Sequence, residues 1–167
     1  GNIKPTLRWA IQDTPSTLAS PPLTSVWAPP RYPAYSRDIE WKKLRSIADE
    51  CGALLHIDMS HVAGLVAGGV MTSPFAYADT VMTTTHKTLR GPRGALIFSK
   101  KEYSPAIDKA VFPGLQGGPH MNAVLAIAVA LQEAMVPEFK QYARDTVHNA
   151  QTLAQLLKEK GWRIVSG

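Results

Sequence analysis

Three short apolar runs, residues 53–57, 79–83 and 94–99, alternate with segments of helical period, and this alternation restricts the chain to an α/β architecture. Asp38 stands where a cap would stand for a first helix. Its apolar positions Ile39, Leu44, Ile47, Ala48 and Cys51 fall on one face, and Gly52 ends it. The first run stops at Asp58. Residues 64–69 are glycine-rich and predict a turn or short helix. Residues 113–119 form a loop. Residues 121–134 are nearly apolar throughout, which predicts a helix buried on most sides. Pro137 suits the first turn of another helix, with Phe139, Tyr142, Ala143, Val147, Ala150, Leu153, Ala154 and Leu157 on one stripe and Gly161 at its end. Residues 162–165 begin a further strand. The expected sheet is largely parallel, with helices layered against it.

Residues 1–33 differ from the rest. They hold seven of the thirteen prolines and seven Ser or Thr. Proline removes a donor and fixes φ, so neither a central strand nor a long helix suits this stretch, and a poorly ordered arm is expected. The 167 residues make one ordinary domain, and an apolar fraction of 45% suffices for a packed core. The net charge of +5 permits an anionic ligand. Without a dense basic block or interleaved aromatics it gives no reason to expect nucleic acid. Cys51 is the single cysteine, which excludes an intrachain disulfide and a multi-cysteine zinc site. The longest wholly apolar run, 123–131, is too short to span a bilayer. No basic-then-apolar leader opens the chain, and the expectation is a soluble cytoplasmic protein without a membrane partner. The first residue is Gly1, as in a processed, tagged or incomplete chain.

Three clusters carry candidate chemistry. In His56-Ile57-Asp58-Met59-Ser60-His61, His56 and Asp58 point to one side of a strand with His61 just beyond. Two histidines and an aspartate are a possible metal set. The plainer reading has Asp58 binding loop amides at a strand end. A third reading places a carboxylate at the carboxyl end of a parallel strand, facing a ligand crevice, where it holds a proton on a ring nitrogen. The cluster Thr83-Thr84-Thr85-His86-Lys87-Thr88-Leu89-Arg90-Gly91-Pro92-Arg93-Gly94 also follows a strand directly, which puts Lys87 at a strand's carboxyl end. Neighbouring cations such as Arg93 and partial desolvation favour a neutral, nucleophilic amine. The plainer reading is a solvated lysine in a basic turn. In Phe112-Pro113-Gly114-Leu115-Gln116-Gly117-Gly118-Pro119, glycines precede a helix whose N-terminus could seat a phosphate; a tight turn without ligand is the alternative. Together, a carboxylate, a lysine and a glycine-lined anion seat match the needs of pyridoxal 5′-phosphate.

The run from Thr83 to Gly94 resembles the cofactor-lysine signature of the serine hydroxymethyltransferase (glycine hydroxymethyltransferase) family. Ala34-Tyr35-Ser36-Arg37-Asp38, Asp58-Met59-Ser60-His61-Val62-Ala63-Gly64-Leu65-Val66, Ser73-Pro74-Phe75 and Val111-Phe112-Pro113-Gly114-Leu115-Gln116-Gly117-Gly118-Pro119 follow in the family's order. The resemblance implies part of the three-layer large domain of fold-type I pyridoxal-phosphate transferases over 34–135. It implies a linking helix and the start of a small C-terminal domain over 136–167, with 1–33 an unmatched arm. It also implies site roles. Lys87 would hold the cofactor covalently, and Asp58 would pair with its ring nitrogen. His61 would contact its phenolic oxygen, and Thr84 would assist transfer of the cofactor between amines. His86 would shape reaction specificity, and Arg93 would act near the lysine amine. Gly117 and Gly118 would reach a phosphate from the partner subunit of a homo-oligomer. No metal is expected. The implied reaction converts serine and tetrahydrofolate reversibly to glycine and 5,10-methylenetetrahydrofolate. A threonine-type β-hydroxy amino acid aldolase and a non-catalytic dimerising fragment are the alternatives. Two positions depart from the family pattern: Pro33 replaces a cofactor-contacting serine, and Asn122 replaces a histidine. Family members extend further on both sides, so the isolated chain is expected to be weakly active at most.

Overall fold

A computed structural model describes residues 35–166, together with the backbone of two short strands, β1 (Lys4–Pro5) and β2 (Ser25–Trp27). They join β3 (Leu54–Asp58), β4 (Thr80–Thr84) and β5 (Ala95–Ser99) in one sheet of order β1-β5-β4-β3-β2. The pairings β2–β3 and β3–β4 are parallel, and β4–β5 and β1–β5 are antiparallel. Four of the five strands therefore run one way and β5 alone reverses. The expected α/β fold is thus present, but the sheet is mixed, with two of its four pairings parallel. Five residues of the N-terminal arm are described, and they form β1 and β2, the two edges of the sheet. Pro5 fits there, since an edge strand can lack a donor. The rest of the arm lies outside the described residues.

In β3 the alternation is strict. Leu55 and Ile57 are buried, and His56 and Asp58 on the other face are half-buried. Leu55, Ile57 and Val81 pack under helix α1 (Trp41–Glu50), the short helix α2 (Ala63–Ala67) and the first turns of α5 (Pro137–Glu159), where Phe139 is 1% exposed. Each such side chain contributes about 1.5–3 kcal/mol by leaving water. The opposite face, with His56, Asp58, Thr80, Met82 and Ile97, stays half-exposed.

Several expectations need correction. Asp38 does not cap α1. Its carboxylate accepts the Ile39 N–H at 3.0 Å and, across the chain, the Thr72 N–H at 3.2 Å and hydroxyl at 2.5 Å. Trp41 is buried and donates its indole N–H to the Thr72 carbonyl at 3.0 Å. It turns α1 so that Trp41, Leu44 and Ala48 face the core, while Ile47 and Cys51 face out. A short helix α3 (Ser104–Lys109) and a wide π-type turn (Ala110–Leu115) precede α4 (Met121–Glu133). Helix α4 is not buried on most sides: Ile127 and Ala130 are, but Met121, Leu125 and Val129 are more than half exposed. In α5 the stripe is buried only at Phe139 and Ala143, and Leu153 is exposed. Residues 162–165 form no strand. A strand needs a partner edge, and the described residues offer none there. No single described helix is long and apolar enough to cross a membrane.

One buried carboxylate ties the layers together. Asp79 accepts the Leu55 N–H and an Arg45 N–H, each at 2.7 Å, and pairs with the Lys100 ammonium. Burial pushes its pKa up, but Lys100, the Leu55 amide and Arg45 together outweigh burial and hold it below the ordinary value. The stabilisation is therefore complete above the unfolded pKa of about 3.9 and is lost as pH falls through the lower folded value. Asp79→Asn is expected to cost about 3 kcal/mol in urea unfolding at pH 7. It is also expected to flatten the acid limb of the stability–pH curve; an unchanged acid limb would assign that limb to other groups.

Candidate active site

Parallel pairing sets the register Asp58↔Met82, so the carboxyl ends of β3 and β4 lie at one edge of the sheet. Beyond β3 the chain turns into α2; beyond β4 it makes the loop 85–94 and returns as β5. Thr84 pairs with Ala95, so one ladder anchors both ends of that loop.

At the β3 end, the Met59 N–H donates to the Met82 carbonyl at 3.0 Å and extends the pairing by one step. Asp58 Oδ1 accepts the Ser60 N–H at 2.8 Å and the Ser60 hydroxyl at 2.5 Å. The same hydroxyl oxygen accepts the Thr84 N–H at 2.9 Å. The plainer reading of Asp58 is thus correct as far as it goes, since one oxygen does bind a loop amide. Among the described residues Oδ2 has no hydrogen-bond partner.

The lysine loop is fixed at every turn. The Thr85 N–H reaches the Gly94 carbonyl at 2.9 Å, its hydroxyl the Pro92 carbonyl at 2.6 Å, and its carbonyl accepts the Gly91 N–H at 2.7 Å. Lys87 accepts the Arg90 N–H at 2.9 Å. Thr88 locks the loop to the other strand end: its Oγ1 accepts the Gly64 N–H at 2.9 Å and donates to the His61 carbonyl at 2.8 Å. Gly64 is required here, because a Cβ would stand 2.2 Å from the Thr88 carbonyl oxygen. Arg90 adopts φ of 59°, a costly value for a side chain with Cβ. Its guanidinium lies 4.4 Å from the Tyr142 ring centre and 5.2 Å from that of Phe139, which offsets the strain. Thr85 and Leu89 are buried on either side of Lys87, which is itself half-buried rather than a freely solvated turn residue.

The remaining candidates separate into two groups. His61 is exposed, yet it sits where both the Lys87 and Asp58 charges act on it. Its pKa is held down by the surrounding protein and by Lys87, against the pull of Asp58. His86 is lowered by burial, then by the Arg93 and Lys87 cations. Its Nδ1 and the Thr84 hydroxyl are buried without hydrogen-bond partners. Each such atom costs about 1–3 kcal/mol unless something binds it. Asp58, His61, Thr84, His86, Lys87 and Arg93 thus share one edge. Gly117 and Gly118 do not join them within this chain. Both are exposed, and a Cβ at either would meet nothing within 4 Å. The metal set is not assembled. His56 hydrogen-bonds Thr80 at 2.6 Å, and no group of three metal-ligating side chains converges among the described residues. A depression of about 680 Å³ beside Trp41, Lys43 and Ile47 contains none of the candidates. The candidate site is an open edge.

Ser60, Thr88 and Arg90 escaped the sequence reading as functional residues. A serine two positions after an aspartate at a strand end is an Asx-turn signal that pointed to Ser60. Nothing local pointed to the Thr88 clamp.

Residues 31–167 match the serine hydroxymethyltransferase family. The serine hydroxymethyltransferase of Desulfotalea psychrophila (strain LSv54 / DSM 12343) is 62% identical over 134 residues, which cover 80% of this chain and 32% of that relative. The chain therefore spans about a third of the length of the curated relative it matches. With the lysine loop, the aspartate turn and the glycine segment in the family's order, the chain belongs to the serine hydroxymethyltransferase family.

Proposed function

We propose that the protein is a pyridoxal-5′-phosphate-dependent transferase interconverting serine plus tetrahydrofolate with glycine plus 5,10-methylenetetrahydrofolate. This chain supplies the lysine side of the site. The observation that carries the reading is the shared edge of β3 and β4. There a carboxylate with one open oxygen, a half-buried amine and two unpartnered buried polar atoms, Thr84 Oγ1 and His86 Nδ1, come together. That donor set fits the cofactor. When bound, it supplies an electron sink for charge developing at the substrate's α-carbon.

The chain's residues divide the work. The Lys87 amine would hold the cofactor, and the Thr88 and Thr85 hydrogen bonds fix the loop that carries that amine. Asp58 has Oδ1 engaged by Ser60, so Oδ2 would be the oxygen that pairs with the ring nitrogen. His61 and His86 both titrate below the ordinary imidazole value, so at pH 7 each enters as a neutral ring that can donate one N–H and accept one proton. Thr84 offers its free hydroxyl to the exchanging amines, and Arg93 adds positive charge beside His86. A second subunit is supported by the exposed apolar side of α4 and by the open space at Gly117 and Gly118, which a partner's bound phosphate would fill. A lone, exposed Cys51 suits the reducing cytoplasm.

Borohydride reduction of the complete protein with pyridoxal 5′-phosphate, followed by peptide mapping, is expected to label Lys87. Label confined to other lysines would overturn the assignment. Thr88→Val removes two hydrogen bonds at nearly constant volume, and is expected to cost about 1–3 kcal/mol in urea unfolding and to slow labelling of Lys87. Because the folded state prefers neutral His86, its contribution to stability is complete above about pH 6.5 and declines as pH falls below that value. His86→Asn is expected to shallow the slope of melting temperature against pH just below 6.5. An identical slope would place the proton uptake elsewhere.

A further inference from the structure

Ser60 has one hydroxyl proton and two acceptors in reach. Asp58 Oδ1 lies at 2.5 Å and the Met82 sulfur at 3.8 Å. A carboxylate oxygen is a far stronger acceptor than a thioether, so the proton goes to Asp58. The hydroxyl oxygen also accepts the Thr84 N–H, which stops the hydroxyl from rotating away. The result is a directed chain from the end of β4 to the end of β3: Thr84 N–H to Ser60 O–H to Asp58 Oδ1. Such chains polarise each successive bond. Ser60 is 1% exposed, so water cannot take over either bond. The backbone amide of Ser60 alone would leave the carboxylate free to rock about a single contact. Two donors from one residue, converging on one oxygen, fix its plane.

We propose that Ser60 is the positioning residue of Asp58: it occupies Oδ1 and thereby presents Oδ2 to the cofactor's ring nitrogen. Through the Thr84 amide it also sets Asp58 and the Thr84 hydroxyl in one frame. This rests on the function proposed above. It assigns Ser60 no contact with cofactor or substrate; the residue acts through its neighbours.

The test is a double-mutant cycle on pyridoxal-5′-phosphate affinity, read by titrating cofactor into the complete apoprotein and following its absorbance. Ser60→Ala is expected to weaken binding about tenfold, as loss of a hydrogen bond to a charged group does. In an Asp58→Ala background the same change is expected to alter affinity less than about twofold, because no carboxylate remains to be aimed. Ser60→Cys nearly preserves volume and retains a weak donor, and is expected to fall between wild type and Ser60→Ala. It keeps the experiment decisive if the alanine variant unfolds. Equal losses in both backgrounds, or no loss in either Ser60 variant, would overturn the proposal. Failure of the parent reading has a different signature: the unaltered protein would bind no cofactor and carry no reducible label on Lys87.

Discussion

The parallel ladder between β3 and β4 is the constraint on which the rest depends. It aligns two carboxyl ends at one height, so a carboxylate and an amine that are far apart in sequence face the same space. A single-residue slip would turn Asp58 and His56 into the core and Leu55 and Ile57 out of it. The core prevents that slip, because Leu55 and Ile57 are at most 1% exposed. Burial on one face of the sheet thus holds chemistry in register on the other.

Around that ladder, polar contacts hold what apolar packing cannot. Asp79 closes the entry side of the strands, joining α1, β3 and the segment after β5 through one carboxylate. Ser60 and Thr88 close the exit side, joining the two loops that carry Asp58 and Lys87. Glycine at 64 lets those loops touch backbone to backbone. The exit side keeps unpartnered atoms at Thr84 and His86, and the entry side keeps one at Arg45 Nε. Hydrogen bonds converge just behind the groups that are left free, the pattern expected of a preorganised site.

Much of this was legible in the residues. The three strands β3, β4 and β5 were legible as short apolar runs between turn residues, and their ends fell within one residue of expectation. Lys87 and Asp58 were legible because each directly follows or ends such a strand. Interactions set through space were not. Asp38 looked like a cap, but its partner Thr72 lies 34 residues on. The Thr84–Ser60 and Gly64–Thr88 bonds each span 24 residues, and no local period encodes them. Helix α4 reads as a core helix by composition. Its exposed side shows that hydropathy measures a need for cover without saying what provides it.

The antiparallel return of β5 has a mechanical consequence. Since Thr84 and Ala95 are ladder partners, residues 85–94 make a closed ring whose mouth is fixed by the sheet. The Thr88 hydrogen bonds to Gly64 and His61 moor that ring to the loop that follows Asp58, so its mouth is held by the ladder and its far side by the neighbouring strand end.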